Sequence, residues 1–248
     1  MYFQDPIKET SHSNVFQLAP IPLYIKYFED HDLHDEVYKF GFDNLSDAQK
    51  LMGQELPDQY DKERQEHYTV NYPRRDMWVE PTEFNPIGSR FSVPPNDFIN
   101  SQNPGVQTIR GRINDAYTDF IDYLGFNNNH NPIITESWIQ YYDPTSGRGH
   151  NQHNHCRWSH EEETSLNFVG GYYLSDGDPI ADHPYSGVFT FHIRGFSYFV
   201  RPKKGMLILW PYDIVHSVKP FYGKTHRCVI NFNVQNGHKI EPSKTKLI

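Results

Sequence analysis

Apolar and polar positions along the chain fall into two textures that change near residue 130. From Val106 to Leu124, apolar residues recur at 106, 109, 113, 117, 120, 121 and 124. That spacing predicts one buried helical face, and Gly125 stands where a left-handed cap would end the helix. Ser46-Asp-Ala-Gln49 has the form of a capping box and predicts a short helix there. Between residues 53 and 105, Pro, Asn, Asp and Gln recur with little periodicity, which predicts long loops lying against a core. After residue 130 the pattern becomes short runs rich in Tyr, Phe, Val, Ile and Trp, bounded by Gly, Pro, Asp or Asn. The runs Ile133–Tyr142, Phe168–Leu174, Gly187–Ile193, Ser197–Val200, Met206–Trp210 and Cys228–Val234 predict strands of a sandwich or rolled-up antiparallel barrel. The fold class expected is mainly β with flanking helices. Residues 1–130 would form a helical and loop-rich flank, 131–236 the barrel and 237–248 a tail.

Composition changes this picture in one respect. Mean hydropathy is −0.74 and only 37% of the 248 residues are apolar, yet aromatic residues make up 15%. Disordered chains are poor in aromatics, so the core is expected to be built from rings and β-branched side chains. The net charge of −8 argues against a general nucleic-acid footprint. No apolar run approaches the ~18–20 residues that span a bilayer, and the start carries no basic then apolar leader, so no membrane partner and a cytoplasmic location are expected. Cys156 and Cys228 make neither a disulfide framework nor a thiolate zinc site.

Of 14 histidines, four lie between positions 150 and 160. The densest stretch is Gly147-Arg-Gly-His-Asn-Gln-His153-Asn-His155. In a strand, residues i and i+2 share a face, so His153 and His155 could aim two imidazoles at one ion. Imidazole suits Fe, Zn, Cu and Ni. A third ligand would come from His216, presented just after Gly205-Met-Leu-Ile-Leu-Trp-Pro211, where a buried strand meets a Pro turn. A second local possibility is His160-Glu-Glu162, which has the His-x-Glu spacing of a 2-His-1-carboxylate site. The same residues are also compatible with a solvated polar loop.

Eleven residues beyond His216, Arg227 opens the run Arg227-Cys-Val-Ile-Asn-Phe-Asn233. Period-two alternation puts Arg227, Val229, Asn231 and Asn233 on one face and Cys228, Ile230 and Phe232 on the other. An arginine on the inward face of a barrel is an uncompensated charge unless it meets an anion. Its planar guanidinium matches a carboxylate bidentately, so a dicarboxylate is a natural partner.

Together these pieces resemble the 2-oxoglutarate/Fe(II)-dependent oxygenases, in particular a phage and marine-bacterial branch with a His-x-His motif. The resemblance is carried by Trp138-Ile-Gln-Tyr-Tyr142, Gly149, His153-Asn-His155 and Gly171-Tyr-Tyr-Leu174. It continues through Leu207-Ile-Leu-Trp-Pro211, His216, Val218-Lys-Pro-Phe221 and Arg227 to Asn233, and covers roughly residues 133–235. It implies a double-stranded β-helix, the jelly-roll core shared with cupins. It also implies Fe(II) on His153, His216 and either His155 or the alternative His160/Glu162 pair. The cosubstrate 2-oxoglutarate would be bound by Arg227 with Tyr173, Gln140 and Asn233. The implied reaction hydroxylates a small molecule or a protein side chain, with release of succinate and CO2.

Three departures qualify the resemblance. Most relatives carry His-x-Asp or His-x-Glu where this chain has His153-x-His155, which leaves the ligand set one negative charge short. The stretch Cys156–Asn167 is long. Val229 stands where many relatives place a serine that helps hold the cosubstrate. Two other readings stay open: a cupin-type dioxygenase or isomerase that uses no 2-oxoglutarate, and a β-barrel interaction module with the remnant of a metal site.

Overall fold

A computed structural model describes residues 8–10, 13–18, 21–45, 89–91, 98–126, 131–144, 147, 149–155 and 167–237. The Ser46–Gln49 box, most of the 53–105 stretch, His160, Glu162 and nearly all of the tail lie outside the described residues. The strands run β1 (Lys8–Thr10), β2 (Ser13–Leu18), β3 (Ile21–Tyr27), β4 (Ser89–Phe91), β5 (Pro132–Tyr142) and β6 (His150–His153). They continue as β7 (Asn167–Ser175), β8 (Phe189–Ile193), β9 (Phe196–Val200), β10 (Met206–Pro211), β11 (His216–Val218) and β12 (Arg227–Asn236). Two helices, α1 (His31–Asp43) and α2 (Pro104–Tyr123), complete the described elements.

The strands form two sheets in which every described pairing is antiparallel. The larger has the order β1-β2-β3-β10-β7-β12-β5-β4, and the smaller β6-β11-β8-β9. Consecutive strands are dealt between the two sheets, the β-sandwich arrangement of a jelly roll. Each strand run expected after residue 130 is present, within a residue or two at its ends.

Alternation along the strands builds two cores. Cys228, Ile230, Phe232 and Val234 of β12 face the helices, with Tyr172 and Leu174 of β7 and Leu207 and Leu209 of β10. Against them α2 lays Val106, Ile109, Ile113, Tyr117, Phe120 and Ile121, all fully buried. Burial of rings such as Phe120 and Phe232 stabilises the fold by ~1.5–3 kcal/mol each. The opposite faces of the same strands, including Tyr142, Val169, Tyr173, Ile208, Trp210 and Val229, meet Phe189, Phe191 and Ile193 of the smaller sheet inside the barrel.

Helix α2 begins on Asn103, whose side chain accepts from Val106 N at 3.1 Å, with Pro104 in its first turn. Its end has the hydrogen bonds of a Schellman motif: Gly125 N donates to Asp122 O and Phe126 N to Ile121 O, with Gly125 at φ 79°. This is the helix and the cap that the apolar spacing predicted. Helix α1 and strand β3 were not anticipated. The face that α1 buries is His34, Val37 and Gly41, too polar and too small to stand out as an apolar stripe. In β3, Pro22 interrupts the run and reads as a strand breaker, yet Tyr24–Tyr27 pair with β10 in the centre of the larger sheet.

Candidate metal centre

Strands β6 and β11 pair so that His153 and His216 are direct cross-strand partners. Their rings lie 4.2 Å apart, centroid to centroid. The approach depends on Gly149, because a Cβ there would collide with the carbonyl oxygen of Val218. His155 reaches the same place by a different route from the one expected. Strand β6 ends at His153, so strand alternation does not aim His155. Its backbone N–H instead donates to Tyr212 O at 3.0 Å, tying it to the turn after β10. Ligand atoms of His153, His155 and His216 then lie within 4.8 Å of one another. Among the described residues no carboxylate joins this group.

Each imidazole is oriented by a hydrogen bond at Nδ1. His153 Nδ1 faces Asn151 O at 2.8 Å and His216 Nδ1 faces Ile214 O at 2.9 Å. His155 Nδ1 faces Asn233 Oδ1 at 2.8 Å. Oxygen acceptors require N–H at all three positions, which leaves the three Nε2 lone pairs for an ion. Burial lowers the His153 pKa. It holds His216 well below the usual imidazole range, with His153 and His155 adding to the effect. Burial thus favours the neutral form of these two rings, the form that binds metal. Phe189 stacks on His216, Trp138 lies parallel to His155 at 6.3 Å, and Trp210 packs edge-on to His216. His150, in the same strand, packs edge-on to His153 at 4.0 Å.

The second part of the site lies deeper in the barrel. Arg227 is 1% exposed, with its guanidinium carbon 4.7 Å from the Tyr142 ring centroid and 5.2 Å from that of Tyr173. Nη2 donates to the Tyr173 hydroxyl at 3.3 Å. Nε and Nη1 have no hydrogen-bond partner. Burial raises the Tyr142 phenol to about 12 and also raises Tyr173, so both flank the guanidinium as neutral rings. Gln140 Oε1 accepts from Asn231 Nδ2 at 3.4 Å, while Gln140 Nε2 is buried and unpartnered.

Of the residues singled out in the sequence, His153, His155 and His216 come together, as do Arg227 and Tyr173. Asn233 faces His155 rather than Arg227. Glu136, Trp138 and Tyr142 also contribute to the site and were not singled out. All three share a face of β5 with Gln140, so counting by twos from Gln140 leads to them.

The sequence matches no protein-family model and no curated protein. Solved structures do match the fold. A Pseudomonas putida prolyl-4-hydroxylase superposes with a TM-score of 0.50 at 14% identity, over 89% of this chain and 95% of that one. EvdMO1 superposes with a TM-score of 0.50 at 13% identity, over 86% of this chain and 47% of that one. A 2OG-Fe(II) oxygenase family oxidoreductase from Burkholderia pseudomallei gives 0.40 at 16% identity, over 59% and 65%. This chain thus has the double-stranded β-helix fold of the 2-oxoglutarate oxygenases, with a three-histidine cluster on and beside two strands of its smaller sheet.

Proposed function

We propose that the chain is a 2-oxoglutarate- and Fe(II)-dependent oxygenase that hydroxylates a small molecule or a protein side chain, releasing succinate and CO2. The observation that carries this reading is Arg227. A guanidinium buried to 1% exposure with two unpartnered N–H groups is costly unless an anion completes it. The donor set fits the metal as well: two imidazoles from paired strands of the smaller sheet and one from the segment after β6 converge with Nε2 left for an ion, and three ligands leave further positions open.

His153, His155 and His216 would hold Fe(II), which supplies the oxygen chemistry once the cosubstrate is bound. The Arg227 guanidinium, with donor capacity left on Nε and Nη1, would take the far carboxylate of 2-oxoglutarate. Tyr173 keeps the guanidinium from rotating away, and Tyr142 supports its face. Val169, Ile208, Phe189 and Val229 pack with Tyr142 and Tyr173 in the apolar cluster inside the barrel. Charge pairing between arginine and carboxylate gains strength in such surroundings. With Val229 where many relatives have a serine, Gln140 Nε2 is the unsatisfied donor available for a further contact.

A protein side chain as substrate is supported by the Pseudomonas putida neighbour, a prolyl-4-hydroxylase. The cupin reading keeps the three histidines but leaves the two free N–H groups of Arg227 without a task. The test is succinate formation from 2-oxoglutarate by the purified chain with Fe(II) and oxygen. Turnover is expected in the native protein and not in His216→Ala or Arg227→Ala. Metal binding without any dependence on 2-oxoglutarate would favour the cupin reading.

A further inference from the structure

His153 and His216 are oriented by backbone carbonyls, but His155 is oriented by a side chain. Asn233 is the direct cross-strand partner of Glu136, and the β5–β12 register shifts immediately after it, where β5 carries the extra residue Thr135 between the partners of Asn233 and Val234. Asn233 Nδ2 donates to Glu136 Oε2 at 3.0 Å, while Asn233 Oδ1 accepts from His155 Nδ1 at 2.8 Å. We propose that Glu136, acting through Asn233, is the positioning residue that fixes the tautomer and ring orientation of the third metal ligand.

The inference rests on the three-histidine metal reading above. A carboxylate oxygen can only accept, so Glu136 selects the nitrogen end of the Asn233 amide. The oxygen end is thereby turned to His155. That oxygen in turn requires a hydrogen on Nδ1, which leaves the Nε2 lone pair for the ion. Trp138, two residues along β5 from Glu136, lies parallel to the His155 ring with 10° between their planes. One strand therefore supplies both the plane of this ligand and its tautomer. The relay also places an anionic group two hydrogen bonds from a ligand set that contains no carboxylate. Relatives with His-x-Asp have that charge on the metal itself, whereas here it is held behind the imidazole.

Glu136→Lys is the informative variant. Its ammonium can only donate, so it takes Asn233 Oδ1, reversing the relay and presenting Asn233 Nδ2 to His155. Nδ1 must then accept, the hydrogen moves to Nε2, and the imidazole cannot ligate. Anaerobic equilibrium dialysis of the full chain against Co(II) should show a loss of ~10–100-fold in affinity, the range found for ligand-orienting groups. The visible absorption of the bound Co(II) should change with it. Asn233→Ala, which deletes the amide, should behave the same way. The double variant Glu136→Lys/Asn233→Asp restores an acceptor facing His155 and a donor facing the new carboxylate, and should recover most of the affinity and the native spectrum.

Circular dichroism and the melting temperature of each variant separate a lost fold from a lost ligand. Native affinity in a folded Glu136→Lys chain overturns the proposal. So does a loss that the folded double variant fails to recover. A native chain that binds no Co(II), or that binds it equally well as His216→Ala, overturns the metal reading and this inference with it. That result is visible before any Glu136 variant is made.

Discussion

The Arg227 guanidinium lies over the Tyr142 ring at 4.7 Å, and two of its three nitrogens lack a hydrogen-bond partner. Among the described residues, no other side chain combines that degree of burial with that much unmet donor capacity. In a close-packed interior such a group is expected to be a binding determinant rather than a contributor to stability.

Replacing it should therefore separate binding from folding. Arg227→Met is expected to lower 2-oxoglutarate affinity by at least ~30-fold, since breaking a buried charge pair costs ~2–5 kcal/mol. Anaerobic calorimetry with Mn(II) as an oxygen-inert metal would measure this. Co(II) affinity should be unchanged. The melting temperature without cosubstrate should not fall, because the variant removes an unpaired buried charge. A large drop in that temperature would mean the arginine serves the fold.

Gly149 is a second point of leverage. A methyl group at this position meets the Val218 carbonyl oxygen, so Gly149→Ala must push β6 away from β11. His153 and His216 sit across that pairing. The variant is expected to lose Co(II) affinity by at least tenfold, about 1.4 kcal/mol. Arg227 lies in the other sheet and should keep its surroundings, so the Tyr142 and Tyr173 signals in NMR should stay in place. Unchanged metal affinity would show that β6 absorbs the methyl group elsewhere.

His34 predicts how stability depends on pH. Its ring is fully buried beneath α1, with Nε2 2.8 Å from the Tyr172 hydroxyl and Nδ1 unpartnered. Burial, followed by the charges of Arg112, Lys204 and His31, lowers its pKa from 6.5 to about 4. The unfolded chain therefore binds this proton first as pH falls. The contribution of His34 is complete above pH 6.5 and is lost progressively between 6.5 and about 4. Urea midpoints of the native chain and His34→Gln, compared across that window, should converge on acidification. Parallel curves would assign the acid sensitivity to other groups.

Much of this was legible in the sequence. Period-two alternation and turn residues marked the strands after residue 130, and the 106–124 stripe marked α2 with its glycine cap. Arg227 was readable because alternation placed it on the face of Val229 and Asn231 rather than that of Ile230. What escaped depended on partners distant in sequence. Strand β3 is hidden by Pro22 and becomes a strand through its pairing with β10. Helix α1 shows no stripe because its buried face includes a histidine and a glycine. Asn233 was placed on the face of Arg227 as a cosubstrate-binding candidate, and its bonds to Glu136 and His155 were not foreseen. Its contact with Glu136 and His155 follows from the β5–β12 register and the bulge beside it, and neither is written in local spacing. The alternative ligands His160 and Glu162 lie outside the described residues.

The most direct test of the central claim is a crystal structure of the chain loaded anaerobically with Fe(II) and 2-oxoglutarate. The expected result is one metal ion on Nε2 of His153, His155 and His216, with the far carboxylate of the cosubstrate on the Arg227 guanidinium. A metal held without one of these histidines, or a dicarboxylate bound away from Arg227, would contradict it.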